Sequence, residues 1–108
     1  MRVPDDLPQL PATVVTQLYK IAQESVTNAI KHAKATRIVI TLALRNGNLM
    51  LSVRNNGRSF PKLASASRGM GLRIMSYRAG LVGGKLELKT AGSQGTQVLC
   101  SVPLHQQV

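Results

Sequence analysis

The chain has 108 residues and a mass of 11.6 kDa, which is enough for one folded domain. It carries 14 Lys and Arg against 4 Asp and Glu, so its formal charge is +10 and its isoelectric point about 11.0. No apolar run reaches the roughly 18–20 residues needed to cross a bilayer, and the first residues lack the apolar stretch of a secretory signal. The single cysteine, Cys100, excludes a disulfide framework within the chain and a cysteine-based zinc site.

The positive charge favours an anionic partner, and three classes fit: nucleic acid, an anionic lipid surface or a phosphorylated ligand. An ordinary surface with a skewed charge count is the alternative. The Lys and Arg residues are dispersed, without a polybasic run. The aromatic side chains that could stack on bases are few and scattered, namely Tyr19, Phe60 and Tyr77. The sequence therefore argues against nucleic acid and leaves a phosphorylated small ligand open.

The first predicted element is a long amphipathic helix. Residues 1–12 contain three prolines, which favour an extended lead-in over a helix. From Thr13 to Lys34, apolar side chains recur at helical spacing and polar side chains occupy the opposite face. The folded domain is therefore expected to begin at residue 13.

Four β-strands are predicted after this helix, in two pairs. The first pair is joined by Asn46-Gly47, which is typical of a tight turn because both central positions of a type I′ turn need positive φ. The second pair is joined by a turn at 91–95, and Pro103 interrupts its last strand. The four segments, rich in β-branched and apolar residues, are 37–44, 49–54, 85–90 and 96–104.

Between the two pairs, residues 55–71 read as a loop, and a second helix is predicted from Leu72 to Leu81, ending at Gly83-Gly84. Antiparallel hairpins that alternate with helices, without a βαβ repeat, indicate a two-layer α/β (α+β) sandwich. We expect a mainly antiparallel sheet covered on one face by helices. The domain is expected to span 13–104, followed by a short tail at 105–108.

The polar stripe of the first helix groups several chemically useful side chains. Glu24 and Asn28 lie four residues apart and share a face, and Lys31 and His32 follow one turn later. Glu24 is conspicuous because it and Glu87 are the only carboxylates beyond residue 6. An amide oxygen suits Mg²⁺ and a nearby lysine suits phosphate. A solvated helix face is the alternative interpretation of this stripe.

Three glycine-containing clusters favour a function over a solvated face. A glycine at the start of a helix lets backbone N–H groups approach an anion, where the helix dipole is also favourable. One cluster closes the second strand, one opens the predicted second helix and one opens the last strand. They are residues 55–60, 69–71 and 95–96.

These segments together resemble one known family. Residues 23–33, QESVTNAIKHA, resemble the N box of the sensor histidine kinases, and residues 18–24 in front of it are similar to the nitrate-sensor-type branch. Residues 69–75 with Arg78-Ala79 resemble that branch's second glycine box, and Gly95-Thr96 its last box. The resemblance implies the histidine-kinase-like ATPase fold, or Bergerat fold, of gyrase, heat-shock chaperone and mismatch-repair ATPases.

The resemblance implies ATP and Mg²⁺ as cofactors and gives a role to each residue of the helix stripe. Asn28 would ligate the Mg²⁺ that bridges the ATP phosphates. Glu24 would be the catalytic residue, orienting or polarising the reacting group or a metal-bound water. Lys31 and His32 would meet phosphate or ribose.

The glycine clusters receive roles from the same resemblance. Gly57 would allow a close approach near adenine. Gly69 and Gly71 would flank the phosphates at the N-terminus of the second helix, with Leu72 also in the nucleotide site. Thr96 would support the adenine pocket from the neighbouring strand.

Two positions depart from the family's pattern. Its first glycine box reads Asp-x-Gly-x-Gly, and here Asn55 stands for the Asp and Ser59 for the second Gly, ahead of a short lid that ends at Gly69. The family's Asp accepts a hydrogen bond from the adenine amino group, and Asn55 can still accept one, without the charge. Because a free amide can rotate and offer its NH₂ to guanine, we expect a modest preference for adenine that Asn55→Asp would sharpen.

Neither histidine of the chain, His32 or His105, resembles a kinase's phosphoacceptor. The resemblance therefore implies a cytoplasmic catalytic domain of a longer sensor, whether or not that parent is membrane-bound. It would transfer the ATP γ-phosphoryl group to a histidine on a separate dimerisation domain, with a response regulator downstream. A degenerate, non-catalytic nucleotide-binding or protein-interaction module is the alternative, favoured by Asn55 and Ser59. A basic nucleic-acid-binding domain is a third hypothesis.

Overall fold

The computed structural model of the chain describes residues 3, 8–31, 34–57, 65–90 and 95–104. The predicted order of elements and the two-layer α+β architecture are confirmed. Among the described residues, neither helix has both the length and the apolar character that a membrane span requires. The elements are α1 (Ala12–Lys31), β1 (Ile38–Arg45), β2 (Asn48–Asn55), α2 (Ser65–Leu81), β3 (Lys85–Thr90) and β4 (Thr96–Pro103).

The four strands form one antiparallel sheet in the order β1-β2-β4-β3. The β1–β2 turn is the predicted tight turn, since Asn46 and Gly47 have φ of 54° and 78°. The pairing of β2 with β4 places Asn55 directly opposite Thr96. The two residues predicted to face adenine therefore sit side by side at one end of the sheet.

The hydrophobic core lies between the sheet and the two helices. Alternate residues of β2 and β4 point inward, so that Leu51 pairs with Cys100 and Val53 with Val98 across the inner face. Both helices cover this same face with their apolar stripes. The core side chains that they contribute are Val14, Leu18, Ile21, Ala29, Met75 and Ala79.

The two helices run in opposite directions across the sheet. The Ser25 hydroxyl of α1 lies 3.4 Å from the Met75 sulfur of α2. Closer to the start of α1, the side-chain oxygen of Gln17 accepts a 3.3 Å hydrogen bond from Arg78 of α2. These contacts show that α1 and α2 are antiparallel, with Ser25 beside the middle of α2.

The prediction that α2 starts at Leu72 is wrong, because the helix begins at Ser65. Gly69 and Gly71 lie inside α2 rather than at its N-terminus. A glycine inside a helix costs only about 1 kcal/mol relative to alanine, so two of them weaken a helix without ending it. No proline separates Ser65 from Leu72, and nothing else in that stretch blocks helical hydrogen bonding.

The first helix ends earlier than predicted, at Lys31 rather than Lys34. Lys34 has a φ of 51°, which a right-handed helix cannot contain. The chain folds back there, and the N–H of Ala35 donates to the carbonyl oxygen of Ala29 at 3.0 Å. This reversal brings the start of β1 back beside the end of α1.

The predicted stop of α2 at Gly83-Gly84 is confirmed as a Schellman cap. Gly83 has a φ of 71°. The N–H of Gly84 donates to the carbonyl oxygen of Ala79 at 2.8 Å, and the N–H of Gly83 donates to the carbonyl oxygen of Gly80 at 3.1 Å. A Cβ on Gly84 would lie 2.8 Å from the carbonyl oxygen of Ser101. The cap therefore also sets how closely α2 approaches β4.

We expect Gly84→Ala to destabilise the fold by about 1–3 kcal/mol, because the added methyl group would force β4 away from the cap. Gly80→Ala is the matched control, since nothing lies within 4 Å of a Cβ there. Because alanine favours a helix more than glycine does, Gly80→Ala should stabilise the protein by up to about 1 kcal/mol. Urea unfolding of both variants measures the difference, and equal unfolding midpoints would contradict the close approach.

Candidate functional site

The polar stripe of α1 is not a uniformly solvated face. Asn28 is only 7% exposed, Glu24 is half-buried and Lys31, the last residue of the helix, is exposed. No hydrogen bond joins the Asn28 amide to another described residue, and buried amides are usually hydrogen-bonded. Within the described residues, the Asn28 amide is therefore a candidate for contact with a ligand.

Glu24 lines a polar cavity of about 370 Å³ between the two helices. Two cations, Lys20 and Arg78, share its wall with this carboxylate. The remaining lining residues are Gln23 and Thr27 on α1 and Ile74 on α2. The cavity combines a carboxylate with positive charge, and such a combination suits a charged reactant better than an apolar one.

The second part of the site lies at the end of the sheet. Asn55 closes β2 at 9% exposure and Thr96 opens β4 at 3% exposure. The Asn55 Oδ1 atom accepts a 2.8 Å hydrogen bond from the N–H of Gly57, which is also buried. The Thr96 Oγ1 atom is buried and has no hydrogen-bond partner in the described part of the chain. A buried hydroxyl without a partner is unfavourable, so this position is complementary to a polar ligand.

Gly95 allows the two strand ends to approach each other. Its φ of 133° is a conformation that L-residues rarely adopt, and a Cβ there would overlap the carbonyl oxygen of Asn55. The Gly95-Thr96 pair was recognisable in the sequence as part of a glycine cluster. The reason for the glycine is this contact with the Asn55 backbone, which places Thr96 beside the Asn55 side chain.

Asn56 connects the sheet end to the region that follows α1. Its Oδ1 accepts hydrogen bonds from the N–H groups of Thr36 (3.1 Å) and Arg37 (2.9 Å), and its Nδ2 donates to the hydroxyl of Thr36 at 3.0 Å. The N–H of Asn56 also donates to the carbonyl of Arg37 at 3.2 Å. Sequence reasoning did not single out Asn56, and its membership of the 55–60 cluster was the only signal.

The structure thus brings together Asn55, Gly57 and Thr96, as predicted, and places Asn28 and Glu24 on α1. Leu72 is half-buried against the core, so its contact with a nucleotide stays a prediction. The residues that fall outside the described part of the chain are His32, Ser59 and His105.

A larger cavity, of about 460 Å³, lies on the other side of α1. Its wall is almost entirely apolar, and its polar side chains are Tyr19, Gln23 and Thr27. The aliphatic side chains along it include Leu10, Val15, Ile40 and Leu42. None of the described residues that line it is cationic or a carboxylate, so the polar cavity beside Glu24 is the better candidate for a charged ligand.

The described residues contain no group of three or more His, Cys, Asp or Glu that could hold a metal ion among themselves. Burial raises the pKa of the Cys100 thiol to about 11, so it is protonated at neutral pH. The thiolate is the form that attacks electrophiles and binds metals. A metal ion at this site would therefore be coordinated by few protein oxygen atoms, together with oxygen atoms of the bound ligand.

Comparison with known proteins identifies similar sequences and folds. The sequence profile of the histidine kinase-, DNA gyrase B-, and HSP90-like ATPases matches residues 13–106. The sensor histidine kinase LiaS of Bacillus subtilis is 33% identical over 91 residues, which are 84% of this chain and 25% of LiaS. The nitrate/nitrite sensor protein NarX of Escherichia coli is 33% identical over 90 residues, 83% of this chain and 15% of NarX.

A solved structure shows the same architecture. The histidine kinase domain of the blue-light-activated histidine kinase EL346 from Erythrobacter litoralis superposes with a TM-score of 0.80 at 26% identity. The match covers 98% of this chain and 55% of that domain structure. The chain thus spans a quarter or less of the curated relatives named above and about half of this structure.

Proposed function

Because the chain belongs to the family of histidine kinase-, DNA gyrase B- and HSP90-like ATPases, we propose that it is the ATP-binding catalytic domain of a sensor histidine kinase. It transfers the γ-phosphoryl group of ATP to a histidine on a separate dimerisation domain of the parent kinase. A response regulator then receives the phosphoryl group downstream. ATP is the substrate, and we place the activity in the cytoplasm.

One observation carries this proposal: polar groups from both layers of the fold, without hydrogen-bond partners among the described residues, lie at the same end. Asn28 is in the last turns of α1, and Thr96 is beside Asn55 at the end of the sheet. Asn56 joins this end of the sheet to Thr36, just after α1. A ligand with a base at one end and a charged phosphate chain at the other fits that arrangement.

Asn28 and Glu24 are the proposed Mg²⁺ end of the site. Mg²⁺ prefers oxygen ligands and is commonly held by one or two protein groups together with substrate phosphates. The nearly buried Asn28 amide, without a partner among the described residues, fits that requirement. The ion would neutralise charge on the phosphates. Lys31 and His32 are proposed to contact phosphate or ribose.

The revised start of α2 changes the proposed roles of two glycines. The free N–H groups of a helix belong to its first four residues, here 65–68. Gly69 and Gly71 therefore do not offer free N–H groups to the phosphates. We propose that they act by lacking side chains, so that the triphosphate can approach the surface of α2 closely.

Glu24 is the proposed catalytic residue. In the transfer, the bond from the γ-phosphorus to the ADP oxygen breaks and a phosphorus–nitrogen bond to the acceptor imidazole forms. Catalysis of such a transfer rests mainly on positioning and charge stabilisation. A carboxylate in the cavity between α1 and α2 can orient or polarise the incoming imidazole, or a metal-bound water.

The degenerate module remains the second candidate because of one specific feature. Asn55 occupies the position at which the family's first glycine box has an aspartate, so the base contact lacks a full charge. A module of this kind would bind nucleotide without transferring phosphate. Binding and transfer must therefore be measured separately.

We expect Mg²⁺ to strengthen binding of a non-hydrolysable ATP analogue to the wild-type chain, and Asn28→Ala to remove most of that effect, about tenfold in dissociation constant. Asn28→Asp is the control, because its carboxylate keeps an oxygen ligand for Mg²⁺. Calorimetric titrations of the wild type and both variants, with and without Mg²⁺, give the six dissociation constants needed. If Mg²⁺ strengthens binding of the analogue to Asn28→Ala as much as it does for the wild type, another residue holds the ion.

A further inference from the structure

The sheet has a second face that neither helix covers. Every strand residue of the hydrophobic core belongs to the inner face, on which α1 and α2 pack. The alternate residues point the other way, and the register arranges them in rows across the four strands. We call this surface the outer face. It consists of Val39, Thr41, Ala43 and Arg45 of β1, Asn48, Met50, Ser52 and Arg54 of β2, Lys85, Glu87 and Lys89 of β3, and Gln97, Leu99, Ser101 and Pro103 of β4.

Exposed basic side chains lie around the margin of the outer face. They are Arg45, Arg54, Lys85 and Lys89. Glu87 is the one carboxylate among the outer-face residues, and no ion pair within the described part of the chain joins it to any of these cations. The outer face therefore has a net positive charge that the described residues leave uncompensated.

Arg54 is the most informative of these cations. Lysines on an edge strand discourage pairing with another chain, which accounts for Lys85 and Lys89 on β3. That explanation does not apply to Arg54, because β2 lies between β1 and β4. The register places Arg54 and Lys89 in one row on either side of Gln97, so their Cα atoms are about 10 Å apart at the usual strand spacing. Two cations in one row without a carboxylate between them favour an anionic partner.

The middle of the outer face has low polarity. Met50 and Leu99 are half-buried there. The amide of Gln97 donates a 2.8 Å hydrogen bond to the hydroxyl of Ser52, so these two polar groups partner each other. A centre of low polarity within a charged margin is typical of protein–protein interfaces. The short side chains around this centre are Thr41, Ala43, Ser52 and Ser101.

We propose that the outer face is a docking surface for an acidic protein partner. Carboxylates of the partner meet the basic margin, and an apolar side chain of the partner covers Met50 and Leu99. Charge complementarity determines this choice. A second copy of the chain, which has a formal charge of +10, would set like charges against each other.

Two other anionic partners fit the outer face less well. A lipid surface is bound by bulky apolar side chains that enter the bilayer boundary, whereas Met50 and Leu99 are half-buried among short side chains. A sheet that binds single-stranded nucleic acid stacks the bases on aromatic side chains. None of the outer-face residues in the described strands is aromatic.

The docking surface and the proposed nucleotide site use opposite faces of the sheet. Asn55 and Thr96 alternate with the outer-face residues of their strands and belong to the inner face. A partner on the outer face therefore leaves the nucleotide site accessible. The inference goes beyond the proposed function and does not depend on nucleotide binding.

The test is a titration of a fluorescently labelled acidic peptide with the 108-residue chain, followed by fluorescence anisotropy. The peptide is a synthetic helix of about 20 residues, or about 30 Å, with glutamates along one face and leucines between them. The double variant Arg54→Glu, Lys89→Glu should weaken binding by about tenfold or more, because carboxylates would then face carboxylates. The control, Lys34→Glu with Arg73→Glu, changes the net charge equally at two exposed positions outside the outer face. It should weaken binding by less than about threefold.

Both double variants should keep the wild-type melting temperature, because all four positions are exposed. Equal losses of affinity in the two variants would mean that net charge alone attracts the peptide, and this result would overturn the proposal. Absence of peptide binding to the wild type would overturn it too. A peptide with serine in place of leucine should bind several-fold more weakly, since the contact with Met50 and Leu99 is lost, and equal affinity would contradict the apolar centre.

Phosphatidylserine vesicles and a DNA duplex are the competing probes. The wild type should bind both more weakly than it binds the peptide. Tighter binding of either probe, lost in Arg54→Glu, Lys89→Glu and retained in the control, would assign the outer face to lipid or nucleic acid and overturn the protein partner. No nucleotide is present in these titrations, so their outcome is independent of whether the chain binds ATP.

Discussion

Glu24→Gln is expected to slow phosphoryl transfer by about 10²-fold or more, within the range for loss of a positioned acid–base group, while changing the ATP dissociation constant by less than about threefold. Glutamine keeps the size of the side chain, so the packing between α1 and α2 is retained. The charge is lost in the polar cavity that Glu24 lines with Lys20 and Arg78. An interaction made only in the transition state affects the rate and spares binding.

The experiment supplies this chain in trans with the histidine-bearing dimerisation domain of its parent and with ATP, and follows phosphohistidine formation. Calorimetry with an ATP analogue gives binding separately. Glu87→Gln is the matched control, because Glu87 is the other carboxylate beyond residue 6 and is exposed on β3. It should change neither quantity. Equal losses of rate and affinity in Glu24→Gln would mean that Glu24 only helps to bind nucleotide, and wild-type binding without transfer would favour the degenerate module.

The sequence predicted the sheet and α1 well because those elements have strong local signals. Alternation with period two and the Asn46-Gly47 turn define the first hairpin within one chain segment, and each strand edge was placed within a residue or so. Helical periodicity defined α1 in the same way. The start of α2 was misplaced because a glycine is a weak helix stop and the stretch before it lacks both a proline and a clear apolar pattern.

The candidate site was only partly predictable for a different reason. The grouping of Glu24 and Asn28 follows from helical spacing, which is local. The pairing of Asn55 with Thr96 follows from the register of β2 against β4, two strands separated by a helix and a third strand. The hydrogen bonds of Asn56 depend on where the chain returns after α1. No pattern within a short window encodes such partners.

Asn56 has a consequence for how the two parts of the site act together. Its side chain and backbone hold Thr36 and Arg37, which lie between α1 and β1, against the end of β2. The neighbours of Asn56 in the chain, Asn55 and Gly57, form the proposed base contact. Asn56 thus ties the segment between α1 and β1 to the end of β2, next to the proposed base contact.

Gly95→Ala is expected to destabilise the fold by roughly 2–6 kcal/mol and to weaken ATP binding in whatever fraction stays folded. Two costs add at this position. A φ of 133° is strained for any L-residue, at about 1–3 kcal/mol, and the new methyl group would overlap the carbonyl oxygen of Asn55, which adds about 1–3 kcal/mol of overpacking. If the strand end moves to relieve the overlap, Thr96 moves away from Asn55 and the base site is lost.

Gly47→Ala separates these two costs. Gly47 also has a positive φ, of 78°, but nothing lies within 4 Å of a Cβ built there. Its substitution should cost only the backbone strain, about 1–2 kcal/mol, and should leave ATP binding unchanged because the β1–β2 turn is at the opposite end of the strands from Asn55. Urea unfolding and calorimetry on both variants provide the comparison. A Gly95→Ala protein that is no less stable than Gly47→Ala, with wild-type ATP affinity, would show that the close contact between Gly95 and Asn55 does not shape the site.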